Sequence, residues 1–190
     1  MNIENYKLEG SLIPIVTYPD PVLSAKAAEV TDFGPGLGKL VKDMLFTMYK
    51  APGIGLAAPQ IGQSIRMFVL DVDYDREEVT NAAGREEYRL SNFNPMVFIN
   101  PVITGTSGTT VYEEGCLSVP GVYEEVKRFE SVNVKFQNLK GEFQELEAHD
   151  MLAICIQHEN DHLDGVVFIE RLSNLKKTFY KKKLLKEKGR

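Results

Sequence analysis

Leu40, Val41, Met44, Leu45 and Met48 recur at three- and four-residue intervals, the spacing that lines one face of a helix. They predict a first amphipathic helix from about Leu37 to Lys50, stopped by Ala51-Pro52-Gly53. Upstream, Ile13 to Ser24 contains Pro14, Pro19 and Pro21 and reads as extended, turning chain. Met67 to Val72 and Val97 to Val102 are rich in strand-forming residues. Between them, residues 73–94 (Asp73 to Asn94) are polar and charged without a clear period, and an insertion loop is expected there. Val132, Val134 and Phe136 alternate with polar neighbours as a half-buried strand does, and Lys140-Gly141 supplies a turn into the next strand. Asp150 is placed to cap a helix that runs through His162 and ends before Asp164-Gly165. A last helix is expected from about Leu172 through the tail, residues 172–190. With no internal repeat or low-complexity linker, the pattern predicts one mixed α+β domain over residues 1–190. The helix bearing His158 and His162 is expected at its buried centre.

Composition narrows the setting. The chain of 190 residues, 43% hydrophobic and 26% charged, is ordinary for a globular domain. At that length it can bury about 70% of the surface its unfolded chain exposes. No apolar run approaches the length of a membrane span, and Met1 to Gly10 carries acids and no apolar core, unlike a secretory signal. A cytoplasmic protein, not bound to membranes and monomeric, is expected. The two cysteines, Cys116 and Cys155, then read as buried thiols or ligands, not as a disulfide. The net charge of −5 is unevenly spread: Lys176 to Arg190 holds seven Lys and one Arg against Glu187, which leaves 14 basic and 26 acidic residues elsewhere. An acidic body argues against nucleic-acid binding through the core, while the basic tail permits an electrostatic contact of its own.

The densest chemistry lies in His158-Glu159-Asn160-Asp161-His162. On a helix, positions i and i+4 lie only ~40° apart, so both imidazoles can reach one ion. Glu159 projects to the flank of that face, where a general base for an activated water belongs. A catalytic site of this kind needs a third protein ligand, and Cys116, Cys155, His149 and the acids are candidates. Cys155 shares the face of His158, but seven residues separate it from His162, ~10.5 Å of helix rise, whereas ligands of one ion lie about 3–4 Å apart. Cys155 is therefore expected in the wall of the site. His149 reads as a strand-end or turn residue. Glu170 follows His162 too closely for the carboxylate ligand of an HExxH protease. Cys116, in Glu114-Gly115-Cys116-Leu117-Ser118, remains either a buried core thiol or a ligand brought in from a separate strand.

Three segments together resemble the peptide deformylase family: Gly53-Ile54-Gly55-Leu56-Ala57-Ala58-Pro59-Gln60, Glu114-Gly115-Cys116-Leu117-Ser118 and Gln157-His158-Glu159-Asn160-Asp161-His162. The likeness extends from Tyr18-Pro19-Asp20-Pro21-Val22-Leu23 to the Lys-rich end, which is similar to the bacterial class that ends in a C-terminal helix. The resemblance implies antiparallel β-sheets packed around a central metal-binding helix, with further helices towards both termini. It implies an enzyme that removes formate from N-formylmethionine of nascent peptides. One divalent ion would be held by Cys116, His158 and His162, with Fe²⁺ preferred in cells and Zn²⁺, Ni²⁺ or Co²⁺ able to replace it.

Residue roles carry over in the same way. Glu159 would be the base, and Gln60 (side chain) and Leu117 (backbone N–H) the oxyanion donors. Ile54, Gly55 and Gly115 would pair with the substrate backbone as an added strand. Tyr112, Met151, Ile154 and Cys155 would line the methionine pocket. Glu114 is expected to hold Arg128 in an ion pair behind the Cys116 loop, and the tail is expected to contact the ribosome. Two other readings remain: a metallopeptidase with a distant carboxylate ligand, and a catalytically silent metal-binding module.

Overall fold

The computed structural model describes residues 6–80 and 84–188. Helix α1 (Pro35–Lys50) starts on a proline in its first turn, where the missing N–H costs nothing, and ends with Lys50 at the negative pole of its dipole. Its buried stripe includes Leu37, Val41, Met44, Leu45 and Met48. A five-stranded antiparallel sheet follows the order β1 (Gly55–Ala57), β2 (Met67–Leu70), β5 (Met96–Ser107), β8 (Ser131–Gln137), β9 (Phe143–His149). Two two-stranded ladders complete the β-structure: β3 (Asp75–Thr80) with β4 (Glu86–Ser91), and β6 (Thr110–Cys116) with β7 (Val119–Arg128). Helices α2 (Asp150–Leu163) and α3 (Asn174–Lys188) follow.

The sheet is covered on both faces, which is why β2 is apolar throughout instead of alternating. Met67 and Val69 pack towards α1, while Phe68 and Leu70 pack with Phe98, Val132, Val134 and the residues of α2. All four are fully buried, each contributing ~1.5–3 kcal/mol by its removal from water. A third cluster joins Val119, Val122 and Val126 of β7 to Phe168, Ile169 and Leu184, and so fastens α3 against the β6–β7 ladder. The α+β class, the antiparallel pairing and the central position of α2 agree with the sequence reading.

Three local expectations need correction. Most of the described residues of 73–94 are strand, not loop: β3 and β4 pair from Asp75↔Ser91 to Thr80↔Glu86. Their side chains are mostly exposed, so no buried face imposes an apolar alternation. Glu77 instead sits opposite Arg89, and the Arg76 guanidinium lies 3.6 Å over the Tyr88 ring. Asp150 does not cap α2 but is its first residue, with φ of 49°, and its N–H donates to the Glu130 carbonyl. The strand expected over Val97 to Val102 runs on to Ser107. Among the described residues, no helix is long and apolar enough to cross a membrane.

Candidate active site

Ten of the 14 residues of α2 are buried, five of them polar or charged: Gln157, His158, Glu159, Asp161 and His162. Burying such groups is costly unless each finds a partner, and the partners reveal the construction. Gln157 caps a strand connection, accepting from the Phe129 N–H (3.0 Å) and donating to the Phe129 carbonyl (2.9 Å). Asp161 accepts from Arg128 Nη1 at 2.7 Å and from Arg171. Arg128 in turn grips Glu114 with Nε at 2.6 Å and Nη2 at 2.9 Å. The expected Glu114–Arg128 pair is thus present, as a bidentate contact between side chains only 3% and 4% exposed. Burial alone would raise the Glu114 pKa, but hydrogen bonds from Arg128 and His158 outweigh it and hold the carboxyl at about 2.

Glu114 also meets His158 Nδ1 at 2.8 Å. That contact fixes the ring and leaves Nε2 as the atom available to the cluster. Across the helix face, Cys116 at the end of β6 places Sγ 3.2 Å from His162 Nε2. One donor atom from each of Cys116, His158 and His162 lies within 4.8 Å of the others. Ligands bound at ~2.0–2.3 Å in a tetrahedron stand ~3.3–3.8 Å apart, so shifts of about an ångström would bring the three around an ion. The donor set, two imidazoles and a sulfur, suits a borderline-soft divalent ion.

Glu159 is 3% exposed and lies against β1 so closely that a Cβ on Gly55 would come within 2.3 Å of its Oε1. Any larger residue at position 55 would have to displace the Glu159 carboxylate. Glu159 Oε2 has no hydrogen-bond partner among the described residues, and burial pushes the carboxyl up to about 7. Gln60, on the 3₁₀ turn Ala58–Ile61, is buried; its Oε1 accepts from the Ala57 N–H at 2.7 Å. This turns Nε2 towards Cys116 Sγ (3.5 Å) and Ser118 Oγ (3.3 Å).

A cavity of about 420 Å³ opens beside these groups. Ile54, Gly55, Gln60, Tyr112, Gly115, Cys116, Leu117, Met151, Ile154, Cys155, His158 and Glu159 all contribute to its wall, so the sequence-derived set converges except for His162, which lies behind it at 1% exposure. Cys155 is buried, its thiol pushed up by burial, with Sγ 3.7 Å from the Ile54 carbonyl. Sequence reasoning missed Tyr123, which lines the cavity and packs over Gly115 so tightly that a Cβ there would meet its ring at 2.7 Å. Cross-strand pairing of Gly115 with Tyr123 brings them together, a signal invisible without the β6–β7 register. It also missed Asp161 and Arg171, whose pairing depends on chain that returns after α2.

Fold and site together define an α+β enzyme with a side-chain group able to hold a metal. A family model for polypeptide deformylase matches residues 12–178. A peptide deformylase of Zymomonas mobilis is 47% identical over 179 residues, 94% of this chain and 96% of that one. The crystal structure of peptide deformylase from Ehrlichia chaffeensis in complex with actinonin superposes with a TM-score of 0.79 at 36% identity, covering 93% of this chain and 98% of that one. The Met-Ala-Ser-bound class I type b peptide deformylase from Acinetobacter baumannii gives 0.73 at 32% identity, over 86% of this chain and 100% of that one. The chain belongs to the polypeptide deformylase family.

Proposed function

We propose that this enzyme removes the formyl group from N-formylmethionine at the start of nascent peptides, releasing formate. The observation that supports the reading most is the convergence of Cys116, His158 and His162 beside a buried Glu159 oxygen that has no hydrogen-bond partner among the described residues, in an open cavity. Cys116, His158 and His162 would hold one divalent ion, Fe²⁺ by preference, with Zn²⁺, Ni²⁺ or Co²⁺ as substitutes. Such an ion supplies Lewis acidity and makes water a nucleophile at neutral pH.

The rest of the chemistry falls to the chain. Glu159 takes a proton from the attacking water as the new C–O bond forms. It then delivers that proton to the amine nitrogen as the C–N bond breaks. Gln60 Nε2 and the Leu117 N–H donate to the carbonyl oxygen as its charge grows, a role worth ~3–4 kcal/mol per donor. Ile54, Gly55 and Gly115 receive the peptide backbone. Strand β1 is an edge of the five-stranded sheet, so one row of its backbone groups is available for such pairing. Tyr112, Met151, Ile154 and Cys155 enclose the methionine side chain. A substrate made at the start of translation places this work in the cytoplasm.

Formate release from formyl-Met-Ala-Ser by anaerobically purified protein tests the reading. Activity is expected to vanish on chelation and to return when Fe²⁺ or Ni²⁺ is restored. No formate from metal-loaded protein would refute it, and activity indifferent to chelators would remove the metal from it.

We further propose that α3 docks on the ribosome. Lys176 is paired with Glu124, and Lys177 and Lys181 with Glu170, so these three are occupied in fastening the helix. Lys182, Lys183, Lys186 and Lys188 are exposed and make no ion pair among the described residues. Replacing Lys182, Lys183 and Lys186 with Glu is expected to leave turnover of short formyl-peptides intact and to weaken ribosome binding, most at low salt. Unchanged affinity in a sedimentation assay would exclude docking through this face.

A further inference from the structure

The β3–β4 hairpin has no part in the chemistry above, yet its root is hydrogen-bonded to Gly53 and Ile54 on the rim of the cavity. Asp71, just after β2, is fully buried and its carboxylate accepts three hydrogen bonds. They come from the Tyr49 hydroxyl at 2.6 Å, the Asp73 N–H at 3.0 Å and the Asn94 N–H at 2.7 Å. Both legs of the hairpin are therefore tied to one side chain, and Asn94 Nδ2 closes the base on Asp73 at 3.0 Å. Tyr74, the next residue, stands edge-on to Tyr49 with ring centroids 4.9 Å apart. Its hydroxyl donates to the Gly53 carbonyl at 3.2 Å.

The Gly53 carbonyl and the Ile54 N–H belong to one planar trans peptide unit and point in opposite directions. Fixing the carbonyl therefore aims the N–H. Glycine at position 53 leaves that unit little intrinsic preference, so an outside contact must set it. A Cβ at position 53 would crowd the tip of the Leu117 side chain, meeting Cδ1 at 2.9 Å. On the far side, the Ile54 carbonyl is taken by the Asp71 N–H at 2.9 Å. Two successive carbonyls of the rim are thus held by the hairpin root.

We propose that Tyr74 is a positioning residue for peptide binding: by holding the Gly53 carbonyl it orients the Ile54 N–H towards the incoming peptide backbone. The inference rests on the deformylase reading, in which Ile54 receives the substrate as an added strand. It gives the root of the 73–94 segment a task, that of a bracket carrying Tyr74.

Tyr74→Phe removes the hydroxyl and keeps the ring against Tyr49. The measurements are KM and kcat on formyl-Met-Ala-Ser, the Kd of Met-Ala-Ser by calorimetry, and metal content. KM and Kd are expected to rise roughly fivefold, the effect of losing one hydrogen bond, with kcat and metal content unchanged. Unchanged KM and Kd would overturn the proposal, as would a fall in kcat accompanied by metal loss, which would locate the damage at the cluster. Wild-type protein that binds metal yet releases no formate would instead bring down the deformylase reading, and this inference with it.

Discussion

Glu159→Gln is expected to lower kcat on formyl-Met-Ala-Ser by ~10²–10⁴-fold while bound metal is retained. Glutamine preserves the volume that fills the space against Gly55, so the helix and its two imidazoles should not move. It cannot accept and return a proton, so only the acid–base function is lost. The same substitution is expected to leave the melting temperature unchanged or raise it. In the native protein a buried carboxylate oxygen lacks any partner among the described residues, and burial has already pushed the group up to about 7. A functional group held in an unfavourable setting is the usual place where stability and activity oppose each other. Retained turnover would assign the proton transfer to another group; lost metal would show that Glu159 supports the cluster, not the chemistry.

How far this was legible from the sequence depends on which physical signal each feature leaves. His158 and His162 were legible because helical geometry is local: four residues along one helix fix their common face. Cys116 was not legible on that basis. Its meeting with His162 depends on where β6 ends relative to α2, 46 positions away, and only the resemblance singled it out. Helix α1 announced itself by apolar spacing, and α2 by the Asp164-Gly165 stop and the i, i+4 histidines it carries. The β3–β4 hairpin did not, because strand alternation arises from one buried face and this ladder has none. Its cross-strand pairs, Glu77 with Arg89 and Arg76 over Tyr88, read as unpatterned charge until the register is known. Tyr74 was hidden for the same reason, since its importance lies in a hydrogen bond to a glycine 21 positions earlier.

Arg128→Met is expected to be the most damaging substitution for the fold. Arg128 is the hub of a chain of contacts running from the half-exposed Arg171 through the buried Asp161, Arg128 and Glu114 to His158. Methionine fills similar space but leaves Glu114 without its bidentate partner, while Asp161 keeps Arg171. Removing one member of a buried ion pair costs ~3–5 kcal/mol, because the partner's charge stays out of water. For a chain of this size that is a fall of roughly 6–20 °C in melting temperature. Glu114 would also lose the contact that aims it at His158, so metal affinity measured by chelator competition should drop ~10–100-fold. The double variant Arg128→Met with Glu114→Gln separates the two effects. With the uncompensated carboxylate gone, much of the stability should return, whereas the weaker grip on His158 Nδ1 should keep metal affinity low. If metal affinity recovered together with stability, the network would be serving the fold alone. If Arg128→Met left both unchanged, the charge on Arg128 would have no part in holding β6 against α2.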